Sequence, residues 1–149
     1  MLGSNLTMDW TTLSLLDTEN LLRMAGLCVA ETRGFVKPEA RISHVGFRCK
    51  TLEEWQALLE MVEPLGQGFM TYKPDGRPIP FIKLTKPVVV GGDVLEYLEF
   101  PAPKKIPEEQ PRIVVGYQLA GADGKAMLKD GYDVREMALH AEDLIERAK

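Results

Sequence analysis

Between residues 41 and 49 apolar and polar side chains alternate. Val45, Phe47 and Cys49 fall on one face, and Ile42, His44, Gly46 and Arg48 fall on the other, which predicts a strand with two unlike faces. The period then lengthens. Leu52, Trp55, Leu58, Leu59 and Val62 form a helical stripe that opens with the capping spacing of Thr51 and Glu54 and stops at Pro64 and Gly66. Beyond it the punctuation is that of hairpins: a strand over 68–72, a tight turn at Asp75-Gly76, a returning strand over 77–84, a turn at Gly91-Gly92 and a strand over 94–100. Residues 41–103 therefore read as strand, helix and three strands.

The flanks are less regular. Leu13, Leu16, Met24, Leu27 and Cys28 predict one long helix over 9–31, or two short ones broken near 17–20, so residues 1–40 form an N-terminal helical segment. Pro101, Pro103, Pro107 and Pro111 make the stretch around 104–111 an extended linker. After it, 113–119 reads as a strand and 121–131 as a loop with room for a short strand or turn around Met127. Asp133 has capping spacing to Glu136 and opens a predicted helix with Val134, Met137, Ala138, Ala141, Leu144 and Ile145 on one face. Residues 112–149 are thus expected to be an incomplete second unit of one strand and one helix, within a single α+β domain.

Composition narrows the chemistry. The 149 residues carry 18 Lys plus Arg against 22 Asp plus Glu without a clustered basic run, which argues against a nucleic-acid partner. No stretch approaches a membrane span, and residues 1–9 lack a signal-peptide pattern, so a cytoplasmic location is expected. Two His cannot supply a three-His zinc site, and Cys28 and Cys49 read as buried thiols rather than a disulfide. Trp10 and Trp55 read as core or interface anchors.

Strand phase gathers a polar set. His44 and Arg48 share one face, Arg77 and Lys83 are in phase with Ile79 and Phe81, and Glu99 is in phase with Leu95 and Tyr97. On one sheet face these residues suit an anionic small molecule, or a metal with an anionic ligand. The competing reading is a set of ordinary sheet ion pairs around a satisfied buried histidine. Ser43 neighbours His44, but adjacent strand residues point to opposite faces, which excludes a Ser–His pair. Gly121-Ala122-Asp123-Gly124-Lys125 lacks the residues of a phosphate loop, and the Asp-Gly pairs at 75, 123 and 130 are turn formers. His140, beside Glu142 and Asp143, is expected at the surface or an interface.

The segments Ser43-His44-Val45-Gly46-Phe47-Arg48-Cys49, Asp75-Gly76-Arg77-Pro78-Ile79, Phe81-Ile82-Lys83-Leu84 and Leu98-Glu99-Phe100-Pro101-Ala102-Pro103 occur in that order, with the Trp55 helix between the first two. Together they resemble the vicinal oxygen chelate superfamily of glyoxalases and extradiol dioxygenases, and within it the YecM-like family. The resemblance implies paired βαβββ modules that form a cup around a divalent metal, with ligands from the first and fourth strands of each. It assigns His44 and Glu99 to the two positions of the first module. In the second module Arg112 stands where the pattern has His, and the fourth strand is expected to be missing. The cup is then expected to hold either a divalent metal (Zn, Ni, Mn or Fe) or none, with Arg48, Arg77, Lys83, Tyr97 and Arg112 around a small anionic molecule. The expectation is a YecM-like protein that binds a small anionic or metal-chelating ligand in a sheet cavity, as a lapsed metalloenzyme. The alternatives are a non-catalytic homodimeric interaction or scaffold protein, and a metal-dependent isomerase or dioxygenase completed across a dimer.

Overall fold

Asp17 accepts a hydrogen bond from the Asn20 amide at 2.9 Å and so starts helix α1 (Thr18–Thr32). The computed structural model describes residues 17–74, 76–104 and 111–148. The described helix thus starts within the 17–20 stretch, whereas Trp10, Leu13, Leu16, Asp75 and the linker positions 105–110 lie outside the described residues. The chain continues through β1 (Arg41–Phe47), α2 (Leu52–Val62), β2 (Gly66–Tyr72), β3 (Ile79–Val90) and β4 (Asp93–Glu99). It ends with β5 (Ile113–Gln118), β6 (Asp123–Lys129), β7 (Tyr132–Met137) and α3 (Ala141–Ala148). The fold is α+β, with one mixed seven-stranded sheet in the order β2-β3-β4-β1-β5-β7-β6.

Helix α2 forms where its stripe predicts. Thr51 caps the Glu54 amide at 3.0 Å, while the Glu54 carboxylate accepts from the Lys50 amide at 2.8 Å. Trp55 donates its indole N–H to the Phe100 carbonyl at 2.8 Å, tying the helix to the end of β4. Thr51→Ala is expected to cost about 1 kcal/mol and to lower Tm by about 2–4 °C. An unchanged Tm in a thermal melt would show that the Glu54 contacts hold the helix start alone.

The expected helix from Asp133 is a strand instead. Asp130 (φ 49°) and Gly131 (φ 86°) both adopt the left-handed region and join β6 to β7 as a two-residue hairpin. β7 then lies parallel to β5, with Val115 opposite Val134. Helix begins only at Ala141. The second unit thus has three strands of its own, and the expectation of one strand and one helix there is corrected.

The two halves meet at β1 and β5, which pair antiparallel with Val45 opposite Val115. β4 lies parallel beside β1, with Gly46 opposite Glu99, and β7 lies parallel beside β5, with Gly116 opposite Arg135. A pseudo-two-fold through the Val45–Val115 pair relates Gly46 to Gly116, Glu99 to Arg135, and His44 to Val114.

Helices α1 and α2 cover one face over Ile42, Val45, Phe47, Leu98 and Val115. Helix α3 lies on the opposite face, where Ala141 and Ile145 pack on Ile79, Phe81 and Tyr97. Ile42 is on the α1 side, not on the His44 side as strict alternation predicts, because a bulge at Ser43 shifts the register between Ile42 and His44. Leu95 likewise leaves the face of Tyr97 and Glu99, where the β3–β4 register shifts between Lys83 and Val88. Cys28 and Cys49 are free and buried, and burial pushes both thiols up to about 12.

Candidate functional site

Helix α3 covers part of its sheet face and leaves a cavity of about 240 Å3 beside it. His44 from β1 and Arg48 just beyond its end, Glu99 from β4, Arg135 from β7, and Arg77 and Lys104 from the connecting segments line it. Among the described residues four cations therefore line it with one carboxylate, in a chain whose net charge is −4.

Two glycines make room for the β1 and β4 side chains. A Cβ on Gly46 would lie 2.5 Å from Glu99 Oε1, and one on Gly116 would lie 2.6 Å from His44 Cε1. The related glycines thus clear space for the two groups at the cavity floor. His44 Nε2 stands 3.7 Å from Glu99 Oε1, beyond a direct hydrogen bond. On its other side Nδ1 lies 2.9 Å from Ser43 Oγ, and that oxygen accepts from the Ala141 amide at 2.8 Å. The exclusion of a Ser43–His44 contact is therefore corrected: the bulge turns the two neighbouring side chains together. Ser43 is 1% exposed, so it positions the imidazole from beneath.

Asp133 sets the guanidinium positions. It is fully buried and accepts from Arg48 Nη2 at 2.7 Å and from Arg135 Nε and Nη2, each at 3.0 Å. Burial alone would raise its pKa, but hydrogen bonds from Arg135 and Arg48 outweigh that and hold the carboxyl below its ordinary range. Arg48 is fixed further by the Pro111 carbonyl at 2.8 Å.

The structure thus brings together His44, Arg48, Arg77 and Glu99 of the expected set, and separates three others. Lys83 is exposed, with its ammonium 5.9 Å from the Tyr97 ring centre, and Tyr97 is buried beneath α3. Arg112 turns towards α2, donating to the Arg48 carbonyl and to Glu54 Oε1, both at 2.7 Å. Val114 therefore stands where the pseudo-two-fold carries His44, and Arg135 where it carries Glu99. Arg135, Lys104, Asp133 and the supporting role of Ser43 were not foreseen. The Asp130-Gly131 pair carried the signal for the first and third, since a hairpin there places Asp133 and Arg135 in phase.

His140 is also corrected, from a surface position to a buried one. Its Nδ1 accepts from the Glu142 amide at 3.1 Å, so Nε2 carries the proton and donates to the Ile42 carbonyl at 3.1 Å. Burial lowers its pKa, favouring this neutral form, and the residue ties the start of α3 to β1. Towards a divalent metal the donor set is thin. His44 and Glu99 supply two donors, the related positions supply an alkyl group and a cation, and no group of three His, Cys, Asp or Glu occurs among the described residues. Among the described residues, these side chains do not by themselves fit a metal centre.

Residues 27–111, more than half of the chain, match the family profile described as YecM protein. No curated protein matches. A solved structure described as "Structural Genomics, Protein EC4020" is similar in fold, with a TM-score of 0.64 at 17% identity, covering 96% of this chain and 98% of that one. None of the described helices is long and apolar enough to cross a membrane.

Proposed function

The chain belongs to the YecM family, and from that premise we propose that it binds a small anionic molecule in the cavity above His44 and Glu99. One observation carries the reading. The register that places Glu99 beside Gly46 places Arg135 beside Gly116, so the second half contributes a guanidinium where the first contributes a carboxylate. A cation there repels a divalent metal and attracts a carboxylate or phosphate. Asp133 pairs with Arg48 and Arg135 and offsets one of their two charges, so the excess positive charge of the cavity lining comes with Arg77 and Lys104. The pairing of β1 with β4 and of β5 with β7, joined at β1 and β5, supports kinship with the vicinal oxygen chelate superfamily. In that reading the second module keeps its first and last two strands and has lost the metal.

At ten times its dissociation constant such a ligand stabilises by about 1.4 kcal/mol, or about 3–6 °C in Tm. Malate and phosphate are expected to produce shifts of this order in the wild-type protein and much smaller ones in Arg77→Gln. Arg77 is chosen because replacing Arg48 or Arg135 would also strip Asp133 of a partner. Equal shifts in both proteins would locate any binding elsewhere. Stoichiometric metal by elemental analysis, lost in His44→Ala, would replace the anion reading with a metal centre.

A further inference from the structure

We infer that the ligand is a small carboxylic acid that also carries a hydroxyl group, the carboxylate facing the cavity's cations and the hydroxyl bridging His44 and Glu99; this rests on the anion reading above. The support of His44 favours one tautomer. Ser43 Oγ accepts from the Ala141 amide at 2.8 Å, and His44 Nδ1 at 2.9 Å is the acceptor available to the serine's own hydrogen. With Nδ1 accepting, the imidazole carries its proton on Nε2 and presents a donor to the cavity. Glu99, as a carboxylate, presents an acceptor.

Donor and acceptor stand 3.7 Å apart, too far to satisfy each other. One oxygen at about 2.8 Å from both fits the gap. A hydroxyl answers both groups, since it accepts from Nε2 and donates to the carboxylate. A second carboxylate would accept from His44 but repel Glu99, and an ammonium would pair with Glu99 but leave the His44 donor unanswered. The cavity's 240 Å3 corresponds to roughly eight water volumes at about 30 Å3 each, which suits an acid of three to five carbons by order of magnitude.

The test compares two acids that differ by one hydroxyl, malate and succinate, by isothermal titration of the full-length protein after dialysis against EDTA. Malate is expected to bind at least about tenfold more tightly, because a site built to bond a hydroxyl leaves its own polar groups unpaired with the analogue that lacks it. Glu99→Gln, which keeps an acceptor and removes the repelling charge, is expected to strengthen succinate binding and narrow the ratio. Equal affinities in the wild-type protein overturn this inference and leave the anion reading standing. Binding of neither acid overturns this inference, and the anion reading falls with it if phosphate too leaves Tm unchanged.

Discussion

Replacing Asp133 with alanine is expected to destabilise the protein by about 3–5 kcal/mol, the range for removing one partner of a buried ion pair. Its carboxylate is fully buried and holds Arg48 and Arg135 together. Without it two guanidiniums stay close, with their best acceptor gone. The expected fall in Tm is on the order of 10 °C, and urea denaturation measures the free energy directly. A cost below about 1 kcal/mol would show that water or the cavity mouth replaces the pair. Acid should reproduce part of the effect. Because the folded carboxyl titrates below its unfolded value, its contribution is complete above the ordinary carboxylate range and is lost as pH falls through the depressed folded value. Asp133→Asn should flatten that part of the stability profile.

The second large effect is expected from a single methyl group at either related glycine. Gly46→Ala puts a carbon 2.5 Å from Glu99 Oε1, and Gly116→Ala puts one 2.6 Å from the His44 ring. Glu99 can swing aside, so the first variant is expected to keep nearly full stability and lose at least about tenfold in malate affinity, the scale of one lost hydrogen bond. His44 is held by Ser43 and by an edge contact with Phe81 at 5.6 Å, so the second is expected also to cost about 1–3 kcal/mol as an overpacked site. Gly34→Ala, whose added carbon meets nothing within 4 Å, is the control. Malate affinity equal in all three variants would detach the cavity floor from binding.

Much of the first half was legible because its signals are local. The stripe from Leu52 to Val62, the alternation around Val45 and the turn at Gly91-Gly92 depend on neighbours a few residues away, and they produced α2, β1 and β4 within a residue or two. Residues 132–137 were misread because Asp133 and Glu136 have capping spacing in any conformation. Asp133 is a strand residue because Arg48, 85 positions earlier, and Arg135 require its carboxylate in the interior. His44, Arg48, Arg77 and Glu99 could be grouped by strand phase. Arg112 could not be placed that way, since one step of register sends it to Glu54 instead of the cavity.

Taken by itself, the order of residues determined the α+β class, the strand-helix-strand pattern of residues 41–101, the buried thiols and two of the cations that accompany His44, Arg48 and Arg77. These come from period and turn chemistry, which act over a single turn or hairpin. Tertiary structure decided the register of β1 against β5, and with it the pairing of Glu99 and Arg135 about one pseudo-two-fold. It also decided the bulge that joins Ser43 to His44 and the helix that roofs part of their sheet face. Each depends on which distant strand becomes the neighbour, a choice made by the whole sheet's burial rather than by any segment's pattern.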